Sequence, residues 1–413
     1  MAGDSLSVTQ TGLQAIDTAM SAVSDNLANA QTNGFDSESV EFATLVGEYI
    51  DGSPLGGGVA TQGISRDFSQ GSVVQASSPT DMAIQGNGFF VFQDPSGNTT
   101  FSRNGAMTVG NNGDLLAFNG SQVLGYPVNS TGATPGVLSP IVIPQSEQAP
   151  TASTQATLSG NLDASSPVIT AAINPADSTT YSASMSMQVY DSLGNSHLLT
   201  FFFQNAGPGT APAIENWNWM ATLDGSSTGL AGNTGTVGFD GGGNIVSGAT
   251  PITPLTITPA GANPLSVTLN LAALTQYAGG AAVTGTANGN AVGRPQNIQV
   301  DNTGLISVSY SNGNVLNVAK VAVATFPALQ GLQLTSGGVY QQTTTSGAPT
   351  ISTADSGSAG SIQSSALESS NVDTTQQLVS LVVLQRNYEA NAKALQTSDN
   401  ILADLMQLQT AAA

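Results

Sequence analysis

The feature that most limits how this chain can fold is a seven-residue apolar repeat at its amino end. Between residues 4 and 33, apolar side chains recur at two positions of the repeat: Leu6, Leu13, Met20 and Leu27 at one, and Ile16, Val23 and Ala30 at the other. A repeat of this period places an apolar stripe along an α-helix, as in coiled coils. Asp4 or Ser5 can cap the start of such a helix, and Asn33-Gly34 is typical of its end. The repeat therefore predicts a long amino-terminal helix.

A second repeat of the same period lies at the carboxyl end, after Asp373 and Gln376, which have the spacing of a capping box. Its apolar side chains are Leu378, Leu381, Leu384, Tyr388, Leu395, Leu402 and Leu405. An isolated helix cannot leave such a stripe in water, and the sequence has no other long helical pattern. We therefore expect the two terminal helices to pack together as a coiled-coil-like axial domain.

The residues between the two repeats have a different composition. They are rich in Gly, Ser, Thr, Asn and Val, with short alternating apolar runs broken by turn residues. Residues 88–93 and 186–190 each precede a turn that contains Asp, Gly and Asn, which predicts β-hairpins. The predicted fold class is mainly β with α-helical termini.

Two stretches of small and polar residues, near 145–160 and 279–293, suggest that one β domain is inserted into another. The predicted organisation is an axial helical domain at 1–34 plus 364–413, connecting Gly-rich segments at 35–70 plus 346–363, an inner β domain at 71–148 plus 291–345, and an inserted outer β domain at 149–290. Gly56-Gly57-Gly58 and residues 346–360 are candidate hinges between the β region and the helices.

The charge balance excludes several classes of function. The 413 residues include 26 Asp and Glu but only 6 Lys and Arg, a formal net charge of -20. Since no basic stripe is available to neutralise phosphates, we expect neither nucleic acids nor anionic membrane surfaces as partners. The absence of cysteine excludes disulfides and thiolate chemistry. No Lys or Arg lies between Arg103 and Arg294, so we expect no surface ion pairs inside that region.

The amino end also lacks the basic segment of a secretory signal, because no positive residue precedes Arg66. No apolar run reaches the length of a membrane helix. We therefore expect a soluble chain without a cleaved signal and without membrane insertion.

Few residues could carry catalysis or hold a cofactor. His197, the single histidine, follows a turn and reads as an ordinary strand-edge residue. Lys320 and Lys393 do not follow glycine, so a phosphate-binding loop is absent. Trp217 and Trp219 share one face of a predicted strand. We expect them to cover a small core; the alternative is that they are exposed and stack on sugars. The sequence does not exclude a catalytic pair of carboxylates of the glycoside hydrolase type, because such a pair is assembled in space. We nevertheless predict no enzyme, no cofactor and no metal.

A hairpin of two helices exposes part of each apolar stripe, and exposed apolar surface of this size usually finds a partner. The stripe residues given above, other than Ala30, are therefore predicted to pack against neighbouring copies of the chain.

The residues beside the helices resemble a known family. The stretch SDNLANAQTNGF, from Ser24 to Phe35, is similar to the signature NNIANxxTxGF of the bacterial flagellar rod and hook proteins. LESSNVD at 367–373 and QRNYEANAK at 385–393 resemble that family's carboxyl signature, and residues 81–90 and 101–105 resemble its first β domain. The matching signature residues are Asn26, Asn29, Gly34, Phe35, Asn371, Asp373, Gln385, Arg386, Tyr388 and Asn391. Asp25, Asp36 and Gln377 depart from the family pattern.

The length and the inserted domain favour the hook members of this family over the shorter rod members. The resemblance implies a structural subunit that polymerises into the curved, flexible joint of the flagellum, which transmits torque from rod to filament. It also implies that the helices line the export channel and that the chain leaves the cell through the flagellar secretion apparatus. Implied partners are other copies of the chain, a distal rod protein, a hook cap, a hook–filament junction protein and the export apparatus.

Two alternatives stay open. One is a distal rod protein of the same family. The other is an extracellular β-rich protein that binds carbohydrate or acts as an adhesin, which requires exposed aromatic side chains and leaves the terminal signatures unexplained.

Overall fold

The computed structural model describes residues 2–50, 53–129, 136–228, 230–249, 254–258 and 261–411. Side chains at 2–5, 47–50, 53–55, 402, 405–406 and 408–411 lie outside this description. The chain divides into two compact units. Unit 1 comprises Met1–Gln145, Asn297–Val308 and Val315–Ala413, and unit 2 comprises Ser146–Gln296 and Ser309–Asn314.

Both terminal helices predicted from the apolar repeats are present. Helix α1 spans Ala2–Ala28, and helix α2 spans Thr374–Ala411. The carboxylate of Asp373 caps α2, because its Oδ1 accepts hydrogen bonds from the N–H groups of Thr375 and Gln376 at 2.9 and 3.1 Å. The start of α2 is therefore fixed by the residue that the capping-box spacing indicated.

Twenty-eight strands lie between the helices in the described ranges. The first ten are β1 (Glu38–Ile50), β2 (Ser53–Arg66), β3 (Val73–Gln75), β4 (Met82–Gln85), β5 (Phe89–Gln93), β6 (Thr99–Ser102), β7 (Met107–Val109), β8 (Leu115–Ala117), β9 (Gln122–Pro127) and β10 (Ser139–Pro140). The next ten are β11 (Gln155–Asp163), β12 (Ala183–Tyr190), β13 (Ser196–Pro208), β14 (Glu215–Leu223), β15 (Leu230–Ala231), β16 (Thr234–Phe239), β17 (Ile245–Ser247), β18 (Leu255–Ile257), β19 (Leu265–Tyr277) and β20 (Ala282–Ala287). The last eight are β21 (Pro295–Val300), β22 (Leu305–Tyr310), β23 (Val315–Thr325), β24 (Gln333–Thr335), β25 (Val339–Gln341), β26 (Thr350–Thr353), β27 (Ser361–Ser364) and β28 (Ala366–Glu368).

The main sheet of unit 1 has the strand order β21-β22-β23-β9-β5-β6-β25-β24, with β10 and β8 on β9, β7 on β8, and β26 on β23. Its apolar core includes Phe89, Val91, Phe101 and Tyr340. Two short antiparallel pairs, β27 with β4 and β28 with β3, join the segment before the helix α2 to the first part of the chain. Residues from both ends of the sequence are thus held together before α2 begins.

The hairpin of β1 and β2 corrects one expectation. Residues 35–70 were expected to form a Gly-rich connecting segment with a hinge at Gly56-Gly57-Gly58. These glycines instead lie inside β2, where Gly58 pairs with Leu45 of β1. The glycine at 58 has a positive φ of 104°, and a Cβ there would lie 2.3 Å from the hydroxyl of Thr11 in α1. Close packing against α1 thus explains the glycine, and the hinge prediction for this triplet is wrong.

Unit 2 contains two five-stranded sheets that enclose one apolar core. The strand orders are β15-β18-β19-β11-β20 and β12-β13-β14-β16-β17, and β11 runs parallel to β19. Alternate side chains of the long strands point into the core, as the period of two in a strand requires. The largest of them, Trp217 and Trp219, are 0% and 2% exposed.

The two hairpins predicted from turn residues are confirmed. Strand β5 pairs with β6 across residues 94–98, and β12 pairs with β13 across residues 191–195. In both turns the aspartate Oδ1 accepts two backbone N–H groups while its other oxygen accepts the Nδ2 of the asparagine four residues later. The repeated Asp-to-Asn spacing thus encodes these turns.

Candidate functional site

The surface with the strongest functional indications is formed by the terminal helices. Helix α1 packs against α2 and against both strands of the β1–β2 hairpin. A Cβ at Gly12 of α1 would lie 3.6 Å from the side-chain amide of Asn391 in α2, while the N–H of Ser37, after α1, donates to Asn371, before α2, at 2.8 Å. The two helices therefore run in opposite directions.

The most buried face of α1 consists of small residues. Ala15, Ala19 and Ala22 are 5–8% exposed, and Asn26 is fully buried. The predicted stripe lies beside this face and is half-buried throughout: Leu6, Leu13, Ile16, Met20, Val23 and Leu27. The seven-residue repeat predicted the helix but not its tightest contact, because alanine carries little weight in a pattern of large apolar residues.

Helix α2 has one half-buried face and one exposed face. Of the predicted stripe, Leu381, Leu384 and Leu395 are half-buried, whereas Leu378 and Tyr388 are 50% and 45% exposed. The side chains of Leu402 and Leu405 lie outside the described residues. Further exposed apolar side chains on this helix are Val379, Val382, Val383 and Ile401, each between 48% and 54% exposed.

The two helices meet the β-rich part of unit 1 at a cluster of mostly buried, mostly polar residues, which we call the junction. It consists of Asn26, Gly34, Asp36, Arg103, Tyr340, Glu368 and Asn371. Asn26 donates its Nδ2 to the carbonyl of Glu38 and accepts the N–H of Glu38, both at 2.7 Å. This side chain therefore ties the last turn of α1 to the first residue of β1.

Asn371 performs a similar task for α2. Its Oδ1 accepts the N–H of Ser37, and its Nδ2 donates to the carbonyls of Asp67 and Ser69 at 2.7 and 3.0 Å. One amide thus joins three chain segments just before α2 begins. It satisfies three backbone groups, the N–H of Ser37 and the carbonyls of Asp67 and Ser69. A shorter or apolar side chain could not do this.

Gly34 is required by the backbone of the junction. Its φ is +66°, and a Cβ there would lie 2.5 Å from the backbone nitrogen of Asn104. The N–H of Gly34 donates to the carbonyl of Glu368 at 2.8 Å. Only glycine combines this conformation with so close an approach.

The junction also holds two buried acidic side chains. Tyr340 donates its hydroxyl to Asp36 at 2.7 Å, and burial raises the pKa of Asp36 to about 6 although the Tyr340 hydrogen bond and the Arg103 charge oppose it. Nη1 of Arg103 lies 3.5 Å from Oε2 of Glu368. Burial likewise raises the pKa of Glu368, against the Arg103 charge and the hydrogen bond from the N–H of Gly71.

Asp36 therefore has an intrachain role. Asp36 departs from the family pattern. Because it is only 6% exposed, its carboxylate accepts the hydrogen bond of Tyr340 and is not accessible to a neighbouring subunit. The other two departures lie on the helices: Asp25 is exposed on α1, and Gln377 is half-buried on α2. The pairing of Arg103 with Glu368 was not predicted from the sequence. The small number of cations, six in the chain, is the signal that could have indicated it.

The remaining signature residues divide by exposure. Asn29 donates to the carbonyl and carboxylate of Asp25 and accepts the hydroxyl of Thr32, which closes the end of α1. Phe35 and Asn391 are half-buried, while Asp373, Gln385, Arg386 and Tyr388 are exposed. The signature thus contains residues that build the junction and residues that the isolated chain leaves on its surface.

A candidate residue outside the helices, His197, lies between two carboxylates. Nδ1 of His197 lies 2.8 Å from Asp224, and Nε2 lies 3.5 Å from Asp191. Burial alone would lower the pKa of His197, but the two carboxylates outweigh it and raise the pKa. These contacts contradict the expectation of no ion pairs between Arg103 and Arg294, which considered only Lys and Arg. Because both ring nitrogens face carboxylates, His197 is a structural residue at the strand edge.

Trp217 and Trp219 lie in the core of unit 2, so the alternative in which they stack on sugars is wrong. Within the described ranges, no group of three or more His, Asp or Glu side chains could hold a metal ion. Among the same residues, no helix is both long enough and apolar enough to cross a membrane.

Comparison with known proteins identifies the family of this chain. A flagellar hook protein FlgE of Escherichia coli K12 is 32% identical over 407 residues, which cover 96% of this chain and 98% of that protein. The chain belongs to the flagellar hook protein family. Members from Rhizobium meliloti and Treponema pallidum are 30% and 31% identical, each over 96% of this chain and at least 97% of their own length.

Three domain families match successive parts of the chain. Residues 83–162 match the flagellar hook protein FlgE/F/G D1 domain, and residues 161–290 match the flagellar basal body protein FlaE D2 domain. Residues 363–408 match the C-terminal region of the flagellar basal body rod proteins FlgEFG. The crystal structure of Helicobacter pylori flagellar hook protein FlgE2 has the same fold at 15% identity, with a TM-score of 0.53 over 72% of this chain and all of that one.

Hook family members are structural components of the flagellar hook and basal body. This chain is accordingly a structural hook subunit and not an enzyme.

Proposed function

We propose that copies of this chain polymerise through their terminal helices into the curved tube of the flagellar hook. In this arrangement the paired helices form a coiled-coil-like inner wall around the export channel. The β-rich units form the outer layers, whose small relative movements let the tube bend while it passes torque from the rod to the filament.

One observation carries this proposal. The first turns of α2 expose Leu378, Val379, Val382 and Val383, each 48–54% exposed, on a helix that already has α1 as a partner. Apolar side chains in consecutive turns of one helix form a patch that a monomeric protein seldom leaves in water. A second copy of the chain covers this patch in a polymer, because each subunit then presents one face to the subunit before it and another to the subunit after it.

The β1–β2 hairpin offers a second apolar surface beside the helices. Phe42, Leu45, Val46 and Ile64 are between 41% and 66% exposed. Because α1 packs on this hairpin, a neighbouring subunit that covers α2 can also reach the hairpin. The proposed subunit-packing residues on the helices are those of the two apolar stripes, and the hairpin extends that surface.

The domain organisation that we propose has the outer β domain inserted into the inner one. The division of the chain supports it, since unit 2 is formed mainly by Ser146–Gln296 while unit 1 takes residues from both sides of that range. The boundary at 149–290 proposed from the sequence lies close to these limits.

Membership of the hook family supports our proposal for the partners and the location. We propose that the subunit leaves the cell through the flagellar export apparatus without a cleaved signal and is assembled outside the envelope. Its neighbours there are the distal rod protein, the hook cap and the hook–filament junction protein.

The test is a pair of Val→Asp variants expressed in the source organism after deletion of its own gene copy. Val383→Asp places a charge in the exposed α2 patch and should abolish hooks on basal bodies viewed by negative-stain electron microscopy. Val315→Asp makes the same change at a valine that is 62% exposed on strand β23 and should leave hooks in place.

Circular dichroism of both purified chains should match the unchanged chain, because both valines are on the surface. Equal numbers of hooks with the two variants would contradict the proposal. An antibody against residues 149–290 that fails to decorate the curved segment would contradict the outer position of unit 2.

A further inference from the structure

The six cations of this chain are few enough to be compared one by one. Three form ion pairs within the chain: Arg66 with Glu38 at 2.6 Å, Arg103 with Glu368 at 3.5 Å, and Arg294 with Glu147 at 2.8 Å. Of the other three, Arg386 and Lys393 lie on α2 and are exposed. Neither has an ion-pair partner among the residues that the structure describes.

Arg386 and Lys393 lie on the side of α2 that faces away from α1. The half-buried Leu384 and Leu395 mark the side toward α1, and at 3.6 residues per turn the two cations fall on the opposite side. Val383, which is 50% exposed, lies one turn before Arg386. The outward face of α2 thus carries an apolar patch followed by two positive charges.

Helix α1 has the opposite charge. Asp4, Asp17 and Asp25 are its charged residues, and no Lys or Arg precedes Arg66. Asp17 is exposed, and its carboxylate has no partner among the described residues. Asp25, by contrast, already accepts a hydrogen bond from Asn29.

Asp17 and Arg386 also lie at the same height along the helix pair. Gly12 of α1 lies against Asn391 of α2, and the helices run in opposite directions. Asp17 follows Gly12 by five residues and Arg386 precedes Asn391 by five, so each lies about 7.5 Å from that contact in the same direction.

We infer that Arg386 of one subunit pairs with Asp17 of the next subunit in the polymer. This inference rests on the proposed function and specifies its interface: the outward face of α2 receives α1 of a second copy. An open polymer needs two different faces that complement each other, and a basic α2 face and an acidic α1 face meet that need. With a net charge of -20 on each copy, subunits repel one another, so a pair of opposite charges also selects the correct register.

The experiment uses the fact that, in such a polymer, the α2 face of each subunit meets the α1 face of the next. Asp17→Arg and Arg386→Glu are expressed singly, together as two chains, and as one doubly substituted chain in the strain that lacks its own copy of the gene. Each single variant places like charges at every interface and should reduce hooks per basal body at least about tenfold.

The two single variants expressed together should restore hooks. The Glu at position 386 of one chain then meets the Arg at position 17 of the other, and Arg386 of that chain meets Asp17 of the first. The doubly substituted chain should restore hooks as well, because the pair is present with its charges exchanged.

The matched control for Arg386→Glu is Arg294→Glu, which makes the same change in net charge in unit 2, where Arg294 is exposed, and should leave hooks unchanged. Normal hook numbers in either single variant would overturn the inference while the proposed function stands. Failure of both the mixture and the double exchange to restore hooks would overturn it too. If the unchanged chain itself formed no hooks in this strain, the proposed function would fail instead.

Discussion

Unit 2 and the junction of unit 1 are both well buried, but they bury opposite kinds of side chain. In unit 2 the core between the two sheets contains Trp217, Trp219 and many aliphatic residues. At the junction the buried side chains are amides, carboxylates and one guanidinium, among them Asn26 and Glu368. Apolar burial stabilises without direction, whereas each buried amide fixes particular backbone groups in place.

This difference explains why two signature residues of the junction, Asn26 and Asn371, carry amide side chains. Many apolar side chains of similar volume can fill a core. An asparagine that bonds both the N–H and the carbonyl of one residue, as Asn26 does with Glu38, has no equivalent substitute. The bonds of the junction therefore fix the point at which each helix leaves the β-rich part of unit 1.

The largest effect is expected in the core of unit 2. Trp219→Ala removes a large side chain that is 2% exposed and should lower the free energy of unfolding of unit 2 by about 3–5 kcal/mol. Both tryptophans of the chain lie in this unit, so the fluorescence of Trp217 during urea unfolding reports on it alone. Ile214→Ala, at a residue that is 64% exposed, should change stability by less than about 0.5 kcal/mol.

Asn26→Ala tests whether a polar contact in the junction matters as much as an apolar one. It leaves two backbone groups of Glu38 without a partner and should cost about 2–4 kcal/mol. Thermal unfolding followed by far-ultraviolet circular dichroism should show this loss, while the tryptophan transition of unit 2 stays in place. Asn29→Ala serves as the control, because the bonds of Asn29 lie within the end of α1. An equal loss of stability there would show that the bonds of Asn26 to β1 have no special weight.

Asp36 makes the stability of the junction depend on pH. Its pKa rises from 3.8 in the unfolded chain to about 6 in the fold, so the folded state holds the proton more tightly. The stabilisation from protonated Asp36 is complete below about pH 4 and is lost as the pH rises through 6. Relative to Asp36→Asn, the unchanged chain should therefore lose about 1–3 kcal/mol between these values. A difference between the two chains that is constant with pH would show that Asp36 does not titrate.

The smallest effect is expected at His197, whose carboxylate partners raise its pKa above the usual 6.5. Its ion pairs contribute below that value and are lost as the pH rises through the raised pKa. Because Asp224 is 54% exposed, His197→Gln should cost under about 1 kcal/mol at acidic pH and less at alkaline pH. Urea unfolding of unit 2 at acidic and at alkaline pH measures this cost. A larger loss at alkaline pH would show that the ion pairs of protonated His197 do not stabilise unit 2.

The sequence predicted those parts of the fold that depend on local pattern. Seven-residue repeats predict the helices, and Asp-to-Asn spacing predicts the turns, because each of these signals acts within a few residues. The β1–β2 hairpin was missed because Gly56–Gly58 reads as a break unless the close approach of α1 is known.

The candidate site was predictable to the same extent. Asn26, Gly34 and Asn371 were identified through resemblance, but the bonds of Gly34 and Asn371 join segments more than 300 residues apart in the sequence, as between Ser37 and Asn371. The pairing of Arg103 with Glu368 depends on the same long-range closure. The exposed face of α2 also required the structure, since the position of α1 decides which side of that helix is covered.

The cation gap between Arg103 and Arg294 has a consequence for proteolysis. Trypsin cleaves after Lys and Arg, and the bond after Arg294 leads to Pro295, at which it acts poorly. Arg103 is 5% exposed, and the next site, Lys320, lies within strand β23. In the folded chain the protease is therefore confined to the exposed helix sites after Arg386 and Lys393 and to the end of the hairpin at Arg66, and unit 2 should survive digestion as one uncut piece.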